Sequence, residues 1–192
     1  MDKKQIIAFF DKRASEWDDM QLRNEKVINF ILDKGAVTKG ADVLDVACGT
    51  GVLFADYLER DVASVTGIDI SDEMLKVAKE KFPQIRLICD DAETYAFKDK
   101  YDVVMIYNAF PHFPSPEQLL INLSKALNDG GRLTVAHGIS EEELEKCHSA
   151  AAKDVSLPLP SKEKLADMMS ANFEVDVMIS DEEKYIVSGV KR

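Results

Sequence analysis

The chain has 192 residues, of which 46% are hydrophobic and 31% charged, which suits one globular domain of ordinary size. Its formal net charge of -11 argues against nucleic acid or an anionic membrane surface as a partner, because a polyanion would be repelled. Three cysteines are too few for a disulfide framework, and no Cys-x-x-Cys spacing suggests a zinc site. Without a signal-peptide core or a membrane-length apolar run, we expect a cytoplasmic protein without membrane insertion.

Two helices are predicted before the first strand, at residues 5–11 and 21–34. In the second of them, apolar residues recur at helical spacing. Between the helices lies a segment that contains the only tryptophan, Trp17. From the residues alone, Trp17 is expected to cover part of the core.

The most informative stretch reads Asp-Val-Leu-Asp-Val-Ala-Cys-Gly-Thr-Gly over residues 42–51. Its first residues form an apolar, β-branched run that is typical of a strand buried on both faces. Residues 52–58 then predict a helix that packs back on this strand. Gly49 and Gly51 permit backbone angles that other residues resist, and they let a ligand approach the chain closely. Strand, glycine turn and helix together indicate the first unit of a doubly wound nucleotide-binding fold.

The details of the turn distinguish between kinds of nucleotide site. A dinucleotide fingerprint needs a third glycine where this chain has Phe54, and a phosphate-binding P-loop needs a lysine that is absent. The turn instead resembles the first motif of the class I S-adenosylmethionine (SAM)-dependent methyltransferases, [Asp/Glu]-x-Gly-x-Gly-x-Gly, with Ala47 replacing the first glycine. This variant is similar to that of the ubiquinone- and menaquinone-biosynthesis methyltransferases. The resemblance implies cofactor contacts from Asp45, Ala47, Gly49 and Gly51; the alternatives are an ordinary strand-to-helix turn or another nucleotide site.

A second strand is predicted at residues 63–70, followed by a helix that Ser71 caps and that ends near residue 81. Asp69, at the tip of this strand, is placed to accept hydrogen bonds from both hydroxyls of a ribose. Residues 67–71 fit the family pattern Gly-x-Asp-x-Ser. The resemblance implies that Ile70 and Met74 pack on the adenine ring, although a methionine at helical spacing is more often part of the core.

A third strand is predicted at residues 85–89, and the Asp-Asp-Ala-Glu sequence that follows resembles the family's Gly-Asp-Ala-Glu. The resemblance implies that Asp91 accepts a hydrogen bond from the adenine amino group and that the Ala92 N–H donates to the ring. Asp90 stands where the family has glycine, so which of the two aspartates contacts adenine stays open. The alternative is an acidic loop in water.

The fourth strand is predicted at residues 101–107, a nearly continuous apolar run. The resemblance implies that its end lies under the methionine part of SAM, with Asn108 as a cofactor-binding residue, and that the substrate pocket begins just after it. A helix at residues 117–127, a turn at 128–131 and a fifth strand at 132–137 are predicted to follow.

The last third of the chain is predicted to contain two helices with serine caps, one after Ser140 and one from Ser161 to about residue 171. Alternating apolar residues at 173–179 and 185–190 predict a terminal hairpin. The expected fold is therefore α/β and Rossmann-like: a doubly wound, seven-stranded, mostly parallel sheet with a C-terminal antiparallel hairpin, in an α/β/α sandwich. We expect one domain over residues 1–192.

The resemblance adds an expectation for residues 1–35, the N-terminal helices. In the family this region folds over the bound cofactor as a lid, which would make Trp17 a cofactor-binding residue.

Methyl transfer from SAM is a displacement at carbon, and the protein mainly has to hold the nucleophile near the methyl group. An acid or base is needed only when the acceptor must lose a proton. Because the chain leaves little room for an added substrate domain, we expect a small-molecule acceptor and a monomer or homodimer. Two alternatives are a non-catalytic SAM-binding protein and an NAD- or nucleotide-binding Rossmann oxidoreductase.

The three histidines, His112, His137 and His148, all lie in the second half of the chain. Carboxyl ends of parallel strands face the ligand crevice, so His112 and His137 are expected to point toward the acceptor. If His148 joined them, the three rings could hold a zinc-like divalent ion that activates the acceptor. Alternatively, His112 or His137 acts as a general base. A third interpretation is that the histidines are placed independently of each other.

Overall fold

The computed structural model describes residues 1–20, 23–147 and 152–192. Within these ranges seven strands form one sheet, in the order β3-β2-β1-β4-β5-β7-β6. The strands are β1 (Asp42–Val46), β2 (Ser64–Asp69), β3 (Arg86–Cys89), β4 (Tyr101–Tyr107), β5 (Leu127–His137), β6 (Phe173–Ser180) and β7 (Tyr185–Lys191). Strands β1 to β5 run parallel to one another, while β7 runs antiparallel to both β5 and β6. This confirms the predicted sheet with its terminal hairpin.

Helices cover both faces of the sheet, as the alternation of inward side chains along the strands requires. On one face, α5 and α7 pack on Leu44, Val46 and their neighbours, and on the other, α2, α3 and α4 pack around Val43 and Met105. The described helices are α1 (Lys3–Asp11), α2 (Glu25–Lys34), α3 (Phe54–Glu59), α4 (Asp72–Lys81), α5 (Pro116–Ala126), α6 (Glu141–Cys147) and α7 (Lys162–Met169). The two apolar layers give the predicted α/β/α sandwich.

Helix boundaries follow their capping residues. The Asn24 side chain accepts from the N–H groups of Lys26 and Val27, so α2 begins at Glu25; residues 21–22 of the predicted helix lie outside the described ranges. Ser140 caps α6 by accepting from the Glu143 N–H. His148, predicted on the same helix, also lies outside the described residues.

The fifth strand is longer than predicted. The turn expected at residues 128–131 belongs to β5, because Leu127 already pairs with Tyr101 on β4. The register shifts before Val103 pairs with Arg132, so the glycine-containing stretch forms an irregularity within the strand and does not separate it from α5.

Among the described helices, none has the length and apolar character needed to cross a bilayer.

Candidate active site

The turn after β1 has the backbone that its small residues predict. Ala47, Gly49 and Gly51 all have positive φ, at 54°, 55° and 79°. The Gly51 N–H donates to the Cys48 carbonyl oxygen at 2.9 Å, which closes the turn. A Cβ on Gly51 would lie 2.5 Å from Cδ2 of Phe54, so this glycine allows α3 to start close beneath the turn. Gly51 therefore shapes the turn, whereas Ala47 and Gly49 line the cavity beside it.

Asp69 joins the tip of β2 to this turn. One carboxylate oxygen accepts from the Gly49 N–H at 2.8 Å, and the other accepts from the Ser71 N–H at 2.9 Å. The residue is 8% exposed, and it borders the cavity. Burial raises the pKa of Asp69 to about 6, although the backbone N–H groups of Ser71, Gly49 and Ile70 favour the charged form. Its oxygens retain lone pairs for a ligand, because a carboxylate accepts about four hydrogen bonds.

Asp45 is a second buried carboxyl group on the same cavity. It lies on β1 and is 3% exposed. Burial raises the pKa of Asp45 to about 8, the Tyr57 hydroxyl opposes this change, and the charge of Asp69 adds to it. A cationic ligand in the cavity would favour the ionised form of both aspartates.

The free energy of unfolding should depend on the ionisation of Asp45. Its folded-state pKa of about 8 lies above the unfolded value near 3.8, so the folded protein binds more protons between these limits. The contribution of Asp45 to the free energy of unfolding is therefore greatest below about pH 4 and falls as the pH rises toward about 8. In Asp45→Asn, urea titrations at pH 5 and pH 8.5 should show this fall reduced by at least about 1.4 kcal/mol, the value of one pKa unit. Asp72→Asn, at an exposed position, should keep the wild-type profile; an unchanged profile in Asp45→Asn would contradict the assignment.

The acidic loop after β3 is bound to the N-terminal helix. Lys3 of α1 forms ion pairs with Asp91 and with Glu93, the latter at 2.5 Å. Glu93 is 1% exposed, and its other oxygen accepts from the Ser115 N–H at 2.6 Å. Asp90 accepts from the Asp91 N–H at 2.7 Å. The aspartate that the resemblance assigns to adenine is thus held beside α1.

Removing Lys3 should destabilise the protein. In Lys3→Met, the buried carboxylate of Glu93 would lose its charged partner, and we expect the free energy of unfolding to fall by about 1–3 kcal/mol. The neighbouring exposed Lys4 offers a matched control, because Lys4→Met removes the same charge without that ion pair. Urea unfolding at pH 7 should separate the two variants, and equal losses would show that the ion pair adds no stability.

The N-terminal segment also covers the first two motifs. Asp11 accepts from the Ser71 hydroxyl at 2.6 Å. Asp18 accepts from the Thr50 hydroxyl and pairs with Lys81, both at 2.5 Å. Residues 1–20 therefore contact the loops after β1, β2 and β3.

An aromatic group forms the cavity wall on this side. Phe10 meets Trp17 edge-to-face, with ring centroids 5.4 Å apart, and meets His112 in the same way at 5.0 Å. All three residues line the cavity.

A cavity of about 960 Å³, its open mouth included, lies at the carboxyl ends of the parallel strands. The structure brings together most of the residues that the sequence singles out. Those lining the cavity are Trp17, Asp45, Ala47, Gly49, Asp69, Ile70, Met74, Asp91, Ala92, Asn108 and His112.

Asn108 closes the end of β4 in a left-handed conformation, with φ 54°. Its N–H donates to the Ala136 carbonyl oxygen, and its Oδ1 accepts from the Gly138 N–H, each at 2.9 Å. The tips of β4 and β5 are thereby held together, and Asn108 lines the cavity. Such strained positions in non-glycine residues concentrate at functional sites.

The expectation for His137 is corrected. Its side chain is fully buried and is not part of the cavity wall. The reason is the terminal hairpin: His137 is still paired in register with Tyr185 of β7, whose ring lies 6.0 Å from the imidazole. Among the described residues no three His, Cys, Asp or Glu side chains are grouped to hold a metal ion, and His148 lies outside those residues.

Sequence reasoning missed two charged parts of this site. Lys3 carries no local signal, because its partners are about 90 residues away in the chain. Glu93 was visible within the Asp-Asp-Ala-Glu motif, and its burial beside an apolar loop is a tertiary effect.

Residues 43–131 match the protein family described as a methyltransferase domain. A Klebsiella pneumoniae protein named ubiquinone biosynthesis O-methyltransferase is 31% identical over 140 residues, 66% of this chain and 57% of that protein. A Coxiella burnetii protein of the same name is 30% identical over 145 residues, 69% of this chain and 61% of that protein. The chain thus spans less than two thirds of the length of these curated relatives.

The overall fold is shared with solved methyltransferases. Magnesium protoporphyrin IX methyltransferase from Synechocystis PCC 6803, solved with bound S-adenosylhomocysteine, has a TM-score of 0.74 and 17% identity, with both chains fully covered. The glycine turn, the strand-end aspartates, the sheet order and the matched domain agree with each other. The chain belongs to the class I SAM-dependent methyltransferases.

Proposed function

We propose that this chain binds SAM in the cavity and transfers its methyl group to a small-molecule acceptor. The observation that carries the proposal is the Asp69 carboxylate, which is buried, faces the cavity and is tied to the glycine turn through the Gly49 N–H. A carboxylate held in this way suits the two hydroxyls of a ribose.

The charge of the cavity fits such a cofactor. Asp45 and Asp69 are buried, and among the described residues no lysine or arginine forms an ion pair with either of them. SAM carries a sulfonium and an ammonium group, which can supply the missing positive charge. Ionising both buried carboxyl groups without a counter-charge is costly, which is why burial raises both pKa values, and a cationic ligand would stabilise the ionised forms.

Each part of the cofactor has candidate residues. Ile70 and Met74 offer apolar surface to the adenine ring, while the Asp91 carboxylate and the Ala92 N–H offer hydrogen bonds to the polar edge of that ring. Asp45, Ala47, Gly49, Asn108 and Trp17 also line the cavity and are the candidates for the methionine part. When bound, SAM supplies an electrophilic methyl group on sulfur. The chain's own residues then have to bind, orient and exclude water, because the leaving group needs no acid.

An acceptor has room beside the loop after β4. His112, Phe113 and Pro114 from this loop line the cavity together with Phe10 and with Tyr107 at the end of β4, so the lining here is largely aromatic. This lining favours a small molecule over a nucleic acid, in agreement with the net charge of -11. A cytoplasmic monomer or homodimer with one domain is part of this proposal. The relatives named O-methyltransferases make hydroxyl compounds the first acceptors to test.

Calorimetry with SAM, S-adenosylhomocysteine and NADH tests the cofactor, and assays for S-adenosylhomocysteine with phenols, quinols, thiols and amines test turnover. We expect SAM to bind, NADH not to bind, and at least one acceptor to be methylated. SAM binding without turnover on any acceptor would favour a non-catalytic SAM-binding protein. NADH binding in place of SAM would favour an oxidoreductase.

A further inference from the structure

The ring of His112 is held by the segment that follows residue 152. Its Nδ1 lies 2.8 Å from the carbonyl oxygen of Val155, and the Leu157 N–H donates to the Pro111 carbonyl oxygen at 2.7 Å. Two neighbouring residues of the β4 loop are therefore attached to the same short segment. Val155 is itself buried against Ile6 of α1, so this attachment is part of the packed structure.

These contacts determine the tautomer of the neutral ring. A carbonyl oxygen can only accept a hydrogen bond, so Nδ1 carries the hydrogen in its contact with Val155. The Ser156 hydroxyl oxygen, 3.2 Å from the same nitrogen, can share that hydrogen. In a neutral imidazole the other nitrogen then has the lone pair, which places the basic site of His112 at Nε2.

We propose that His112, held in the Nδ1–H tautomer by the Val155 carbonyl, takes the proton of a hydroxyl acceptor at Nε2. This inference rests on the proposed function. A lone pair of the acceptor oxygen forms the new O–C bond, and the methyl–sulfur bond breaks with its electron pair remaining on sulfur. The O–H proton passes to Nε2, and the resulting imidazolium later releases it to water.

The charged groups around the cavity would face the imidazolium that forms in this step. The charged groups that line it are Lys3 from α1, Asp45 from β1, Asp69 from β2, and Asp90, Asp91 and Glu93 after β3. Lys153 and Asp154, on the turn that carries Val155, are both exposed. Carboxyl groups outnumber the single ammonium, so the cationic imidazolium formed in the step would be stabilised. The base is needed only for an acceptor that binds in its protonated form. A thiolate has already lost its proton and does not need it.

The tautomer can be measured directly in the intact protein. Histidine-labelled ¹⁵N protein at pH 8 should give three ring systems, and the one that disappears in His112→Gln is His112. We expect its Nδ1 to be protonated and its Nε2 to be unprotonated, both in wild type and in Ser156→Ala, because the Val155 carbonyl remains in that variant. An Nε2-protonated ring in wild type would overturn the inference, whatever the acceptor turns out to be.

The base role is tested with two probes, catechol and thiophenol, the latter assayed above its thiol pKa. His112→Gln should lower kcat for catechol by about 10²–10⁴-fold. For thiophenol, kcat should fall by less than about tenfold, although its KM is free to change because His112 lines the cavity. Calorimetry should show wild-type SAM affinity in this variant. Methylation of thiophenol alone, or an undiminished rate with catechol in His112→Gln, would contradict the base role. Absence of SAM binding in wild type would instead defeat the proposed function.

Discussion

Gly51→Ala should lower the free energy of unfolding by about 2–5 kcal/mol, the largest stability loss that we predict for a single added methyl group. Gly51 has a φ of 79°, where a side chain costs about 1–2 kcal/mol. The added Cβ would also lie 2.5 Å from Cδ2 of Phe54, whose fully buried ring has little room to move. Such overpacking costs about 1–3 kcal/mol more. Urea unfolding followed by circular dichroism measures the total.

Gly40 provides the matched control for this variant. Its φ is 82°, but a Cβ there would meet no atom within 4 Å. Gly40→Ala should therefore show only the backbone cost, about 1–2 kcal/mol. The difference between the two variants isolates the contact with Phe54. Equal losses would mean that the start of α3 can shift to accommodate a methyl group, and the tight turn would not be required.

Asp69→Ala should weaken SAM binding by about 1–3 kcal/mol, or roughly 5- to 150-fold in Kd. The carboxylate is the only group that we assign to the ribose hydroxyls, and it also orients the glycine turn through the Gly49 N–H. Both losses act in the same direction, because the ligand would lose a charged acceptor and the turn would lose a constraint. Calorimetry on the folded variant measures the effect.

Asp72→Ala removes the same charge three residues further along, at the exposed start of α4. It should bind SAM with nearly wild-type affinity. This control separates the loss of a direct contact with SAM from a general change in the electrostatic field of the protein. Circular dichroism on both variants shows whether the fold is retained. Wild-type SAM affinity in Asp69→Ala would remove the ribose assignment.

Much of the cofactor side was predictable because its signals are local. Residues 42–51 combine an apolar strand with a glycine turn. Asp69 ends β2 and Asp91 follows β3, at the positions where parallel sheets expose their carboxyl ends. Placing these strands in one parallel sheet is enough to bring their tips to one edge. The structure adds that the Asp69 carboxylate binds the Gly49 N–H, a contact that links two of these tips.

The acceptor side was less predictable, because its contacts join parts of the chain that are far apart in sequence. His112 and His137 both follow or end a parallel strand, yet only His112 lines the cavity. His137 is covered by Tyr185, which returns to β5 through the antiparallel hairpin. The expectation that the carboxyl end of a parallel strand faces the ligand crevice holds where that end is uncovered. It does not hold for the end of β5, because β7 pairs with it there.

The sequence by itself determined the order of strands and helices, the glycine turn and the acidic residue at each of three strand ends. These features depend on periodicity and backbone conformation, which act over a few residues. Only the tertiary structure decided that Lys3 forms ion pairs with Asp91 and Glu93, that Val155 orients His112, and that His137 is buried. Each of these depends on burial and on hydrogen-bond partners more than 40 residues apart, which local patterns do not encode.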